Sequence, residues 1–132
     1  MTLNKEQILR ADDLKTEEVD VPEWGGSVRV RVLTGTERDA FESSIYDSSK
    51  KKANLQNIRA KLCVATIVDE EGNRLFNDTE VVSLGKKSAS ALDRVFTVSQ
   101  KLNGLTKADI DELAKNLETD QSEFSTSNSQ DT

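Results

Sequence analysis

The sequence predicts an α+β protein: an N-terminal β-hairpin packed on a small bundle of about four to five helices, with a disordered C-terminal tail. Three observations carry this. Apolar and charged residues alternate strictly in "EEVDVPEWGGSVRVRV", where a Gly-Gly pair separates two such runs. Beyond Leu33 the apolar residues recur three and four apart, the period of a helix face. From Thr119 the chain is "TDQSEFSTSNSQDT", polar with one isolated aromatic, too poor in apolar side chains to offset the entropy of ordering. Residues 1–118 are read as a single α+β domain and residues 119–132 as a polar tail.

Asn4 is placed to cap a short helix through Arg10, with Ile8 and Leu9 as its apolar contacts. Val19 and Val21 then face one way, with Glu18 and Asp20 opposite, and Pro22 marks a strand end. Gly25-Gly26 supplies the positive-φ freedom of a tight reversal. Val28, Val30 and Val32 form the inner face of the return strand. Arg29 and Arg31 face outward, opposite the strand that carries Glu18 and Asp20. Trp24, beside the turn, folds over one face of the hairpin; the competing reading exposes it for binding.

Thr36 with Asp39 three residues on resembles a capping box, opening a helix from Glu37 to Tyr46 that buries Ala40, Phe41 and Ile45. "SSKKKAN" is a polar, basic connector. Asn54 can cap the next helix, in which Leu55, Ile58, Leu62 and Ala65 form a stripe widened by Val64, Ile67 and Val68; this is the central helix. "DEEGNRLF" is a turn, with Gly72-Asn73 at the reversal. Asn77 or Asp78 opens a short helix, "TEVVSL", that Gly85 ends. Ser88 begins a long helix with Leu92, Val95, Phe96 and Leu102 inward and Gly104 beyond its end. Thr106 caps a last helix, "KADIDELAKNL", with Ile110, Leu113 and Leu117 on one side.

Composition narrows the function classes. The chain has 132 residues, enough for one modest core, and a formal charge of −6. That charge, with a pI near 4.8, lacks the broad basic field that nucleic-acid backbones require. No apolar run reaches the ~18 residues of a membrane span, and the N-terminus has no signal-peptide core. A cytoplasmic, reduced protein is expected. Cys63 lies in "AKLCVATIV" as a small buried hydrophobe, and no histidine exists to activate its thiolate.

Catalytic chemistry finds no foothold. The absence of histidine removes hydrolase triads and histidine-based metal sites. "LGKKS" resembles a phosphate loop only superficially, because Glu80 stands where the first glycine belongs. "DEEGN" lacks the alternating oxygen ligands of a calcium loop. Acidic pairs such as Glu17-Glu18 read as solvated surface. No catalytic, cofactor-binding or metal-binding residue is assigned, and no enzyme is expected.

The order of these elements resembles a family. "ILRADDLKTEEVDVPEWGGSVRVRVLTGTERDAFE", "NIRAKLCVATIVDEEGNRLFND" and "LGKKSASALDRVFTVSQKLNGL" are similar to the small tail assembly chaperones of long-tailed phages and prophages. The similarity runs from Ile8 to Asn116, and its most distinctive words are "VPEWGG", "LTG.ERDAFE", "DEEGNRLF" and "ALDR". The resemblance implies a chaperone of virion morphogenesis that binds the tape measure protein, keeps it soluble, and helps recruit tail tube (major tail) subunits. It further implies action in the host cytoplasm and absence from the mature virion. Self-association is a further partner expectation; nucleic acid and membrane are not expected. The alternative is a structural head–tail or tail component retained in the virion, and a third class is a carboxylate enzyme or nucleic-acid regulator.

Such chaperones often exist as a short form and a longer form made by a −1 programmed frameshift. Ala114-Lys115-Asn116 can be encoded GCA-AAA-AAC, which contains a slippery run, and an ordinary helix end is the competing reading. Two partner surfaces are candidates: the outer face of the hairpin, with Trp24, Arg29 and Arg31, and the basic connector Lys50-Lys51-Lys52.

Overall fold

The computed structural model describes residues 1–47, 52–53 and 55–105. The expected cap at Asn54, the capped helix from Thr106, the frameshift position Ala114-Lys115-Asn116, the polar tail and the side chains of the lysine connector lie outside the described residues. In chain order the elements are α1 (Lys5–Arg10), β1 (Thr16–Val21), β2 (Gly26–Arg31), α2 (Gly35–Ser44), β3 (Tyr46–Asp47), β4 (Lys52–Ala53), α3 (Ile58–Thr66), β5 (Ile67–Val68), α4 (Val81–Gly85) and α5 (Ala89–Leu102). This is the α+β class that the sequence predicts.

The hairpin of β1 and β2 forms in the expected register, with Val19 opposite Val28 and Glu18 opposite Arg29. Asp20 faces Ser27 rather than an arginine. The reversal is wider than a Gly-Gly turn. Pro22–Trp24 make a single 3-10 turn, Gly25 alone takes a left-handed conformation at φ 76°, and Gly26 already pairs with Val21. Proline's fixed φ suits the first position of that turn. Val19, Val21 and Val30 are buried, and Trp24 and Val28 pack against the same core, so Trp24 folds over the inner face.

A third strand completes the sheet, in the order β1-β2-β5. Helical spacing assigns Ile67 and Val68 to the central helix, but α3 ends at Thr66 and these two residues pair antiparallel with Val30 and Arg29. Two β-branched residues gain more by closing the open edge of β2 than by another half-turn of helix. At its other end α3 begins at Ile58, after Asn57 at φ 59°, and Leu55 is exposed rather than part of the stripe.

The β2–α2 junction differs by two residues from the sequence expectation. Thr34, not Thr36, is the N-cap: its hydroxyl accepts from the Glu37 N–H at 3.1 Å, and Glu37 returns a carboxylate to the Thr34 N–H at 2.9 Å. Glutamate reaches back where Asp39 is one methylene short, so the box closes on Thr34-Gly35-Thr36-Glu37. Phe41 and Ile45 are buried as expected, whereas Ala40 is exposed. The expected connector is not wholly irregular, since Tyr46–Asp47 pair with Lys52–Ala53.

Among the described residues two clusters form the interior. The larger joins the hairpin valines to Ala60, Cys63 and Val64 of α3 and to Ala91, Leu92 and Val95 of α5. The smaller holds Leu33, Phe41, Ile45, Leu62 and Leu105, with Phe96 against it. Gly85, the last residue of α4, allows close approach to α3: a Cβ there would stand 3.0 Å from Asn57 Oδ1 and 3.7 Å from Ala60 Cβ. The turn after β5 is organised by Asp69, whose Oδ1 accepts from the N–H groups of Glu71 and Asn73, with Gly72 at φ 88° as the reversal predicts.

α1 departs from expectation. Asn4 and Gln7 form a reciprocal capping box, yet no residue of the helix is buried. Ile8 is 57% and Leu9 77% exposed, so neither provides the apolar contact predicted for it. The two are adjacent on a six-residue helix, which is too short to present them together to the core while its cap holds it in shape.

Candidate functional site

The outer face of the hairpin is a network rather than a row of free cations. Arg29 lies 3.2 Å from Glu18 Oε1 and donates to the Glu70 carbonyl at 3.1 Å, while Ser27 donates to the other Glu18 oxygen. Those two hydrogen bonds, from Ser27 and then Arg29, hold the Glu18 carboxyl below the usual range. Arg31 is more enclosed. Its Nη2 meets both Glu37 oxygens at 2.7 and 2.8 Å, and its Nη1 donates to the Gly72 carbonyl at 3.0 Å. A client carboxylate on this face would have to displace Glu18 or Glu37. Trp24 is half-buried on the core, and its neighbour Glu23 is tied to α5 through Arg94 at 2.8 Å and Ser90 at 3.1 Å. The structure thus brings Trp24, Arg29 and Arg31 onto one hairpin but not into one recess. Lys50 and Lys51 lie outside the described residues, and Lys52 begins β4.

A second feature escapes sequence reasoning altogether. Between α2 and α4, floored by α3, lies a cleft of about 320 Å³, at the low end of the ~300–1,000 Å³ typical of binding clefts. α2 contributes Glu37, Ala40, Phe41 and Ser44; α3 contributes Lys61 and Ala65; Val81 begins the far wall, with Arg74 and Asp78 before it. The small side chains of Ala40 and Ala65 leave the depression. Read alone, an exposed alanine on a helix looks like filler, and only the meeting of three helices makes it part of a wall.

The charges around this cleft are unequally partnered. Glu37 is held by Arg31. Arg74 donates to Asp78 at 2.8 Å and to the Val64 carbonyl. Lys61 donates only to the Ser44 carbonyl, at 2.8 Å, and no carboxylate stands within ion-pair distance of it among the described residues. Burial pulls its ammonium below the usual lysine range. The Ser44 carbonyl belongs to the last turn of α2, where partial negative charge favours a cation but does not neutralise it.

The described residues include one thiol, Cys63, and no histidine. Among them no group of three or more His, Cys, Asp or Glu could hold a metal, and no helix is long and apolar enough to cross a membrane. Burial, and then the charge of Asp93, push the Cys63 thiol up to about 12, so it stays protonated.

Comparison with known proteins bears on what such a surface is for. A family model described as phage tail assembly chaperone matches residues 5–116. Among solved structures the fold is similar to that of the bacteriophage HK97 tail assembly chaperone, with a TM-score of 0.54 over 77% of this chain and 95% of that one, at 16% identity. No curated protein sequence matches the chain.

Proposed function

Because this chain belongs to the phage tail assembly chaperone family, we propose that its client is the tape measure protein, which it holds soluble in the host cytoplasm while tail tube subunits are recruited. It leaves before the virion is complete. The family match across residues 5–116 is the observation that carries this reading, and the surface supports it physically. A small protein with a formal charge of −6 can cover apolar faces of a long client and keep the complex dispersed. Many weakly bound copies along one client add through multivalency. The exposed Leu3, Ile8 and Leu9 of the N-terminal arm add apolar area for such contacts.

A second product, identical to about Lys115 and then diverging through a −1 frameshift at Ala114-Lys115-Asn116, would couple client binding to tube recruitment. Co-expression with the tape measure protein tests the central claim. The tape measure protein should be soluble only when this chain is present, and should be retained with it on purification. Mass spectrometry of finished particles should find no copy of the chain; recovery there in tail-stoichiometric amounts would make it a structural component instead. Peptides from infected cells that follow this sequence to Lys115 and then depart from it would establish the longer form.

A further inference from the structure

We propose that the cleft between α2 and α4 is the client-docking site, and that it takes an amphipathic helical segment presenting a large apolar side chain beside a carboxylate. The apolar side chain enters over Ala40, Ala65 and Val81; the carboxylate meets Lys61. The identity of the client rests on the tape-measure reading; the place and chemistry of docking rest on the cleft itself.

Three observations converge on it. The cleft is open, and Ala40, Ala65 and Val81 leave an apolar stretch between its charged groups, so an incoming side chain gains burial without displacing any residue. Its other charges are committed: Glu37 to Arg31, Arg74 to Asp78. Among the described residues Lys61 is the half-buried cation of the cleft whose one partner is a carbonyl, so there it has lost hydration without gaining a counter-ion. A carboxylate arriving there makes a charge-assisted hydrogen bond and displaces nothing. At Arg29 or Arg31 it would compete with an intramolecular carboxylate already in place.

The overall charge sharpens the choice of occupant. A protein carrying −6 repels acidic chains at long range, so an acidic residue is accepted only where a local cation lies beside apolar surface. A helix laid in a groove between helices supplies that pairing at i and i+3 or i+4.

The test uses the full chain co-expressed with its tape measure protein, and helical peptides tiled across that client for affinity. Ala40→Trp fills the cleft mouth from an exposed position, and Lys61→Glu reverses the cation; Arg29→Glu on the hairpin is the comparison. Thermal unfolding of each purified variant checks the fold. The expected result is a loss of peptide affinity of about tenfold or more for both cleft variants, each still unfolding in one cooperative transition, and little effect of Arg29→Glu. Exchanging the peptide carboxylate for lysine should restore binding to Lys61→Glu. Should Lys61→Glu fail to fold, Ala40→Trp decides. Wild-type affinity in folded cleft variants, or loss confined to Arg29→Glu, overturns the docking site and leaves the tape-measure reading standing. A wild-type chain that retains no tape measure protein overturns both.

Discussion

Arg31 and Glu37 join the hairpin to α2 through one guanidinium nitrogen that meets both carboxylate oxygens, at 2.7 and 2.8 Å. The same carboxylate closes the capping box on the Thr34 N–H, and the same guanidinium holds the Gly72 carbonyl. With side chains only 14% and 23% exposed, the pair links β2, the start of α2 and the turn after β5. Removing the cation should therefore disturb three elements. Arg31→Met should destabilise the protein by about 1–3 kcal/mol, more than a surface ion pair and less than a fully buried one. Arg31→Lys should recover little of this, since an ammonium cannot span Glu37 and Gly72 together. Urea unfolding measures both.

The pair also sets a pH dependence. Burial raises the Glu37 pKa, but the Thr34 N–H and the Arg31 guanidinium outweigh it and hold the carboxyl below its usual value. A carboxyl with a depressed folded pKa contributes stability that is fully present above its unfolded value, about 4.3. That contribution is lost as the pH falls through the folded value. The stability gap between wild type and Glu37→Gln should thus be constant near neutrality and narrow below about pH 4.3. A gap that widened in acid would contradict the assignment.

The helix start gives a sharper contrast. Thr34→Ala removes the cap and should cost about 1 kcal/mol. Thr36→Ala lies inside α2, where alanine is the better helix former, and should cost nothing or stabilise slightly. Thermal denaturation of the two variants separates the alternatives.

Between α3 and α5, Thr66 and Ser99 share a buried hydrogen bond of 2.9 Å, and Thr66 also lies 2.8 Å from the Leu62 carbonyl. Thr66 has one proton, which goes to the carbonyl, so Ser99 is the donor between the hydroxyls. Ser99→Ala leaves Thr66 bonded and should cost about 0.5–1.5 kcal/mol. Thr66→Val strands the Ser99 hydroxyl in the core and should cost more, about 1–3 kcal/mol.

Cys63 offers a probe of opening. Fully enclosed and protonated, its thiol should react with a maleimide no faster than the core opens, and denaturant should speed the reaction in step with loss of helix signal. Labelling as fast as a free thiol under native conditions would contradict its burial.

What the sequence determined by itself were the features encoded by neighbours along the chain. The period-two valines fix β1 and β2 and their register, because a slip of one residue would turn every valine to solvent. Ser88 and Asn4 cap α5 and α1, and Asn77 caps the 3-10 turn Asp78–Glu80 that leads into α4, all through bonds that span two or three residues. The buried faces of α3 and α5 follow from three-and-four spacing, and the burial of Cys63 from its apolar neighbours. Tertiary structure decided what depends on residues far apart in sequence. Ile67 and Val68 leave the helix because β2 has an open edge, and Arg29 and Arg31 are occupied because Glu18, Glu37 and the turn at Gly72 close around them. Ile8 and Leu9 stay exposed, since among the described residues no element buries any part of this six-residue helix, whose cap is its own. The cleft at Ala40, Lys61 and Val81 belongs to this second kind. A recess, and a cation with no carboxylate beside it among the described residues, are properties of what surrounds a residue, and for Lys61 the surroundings come from α2, α3 and α4, which only packing brings together.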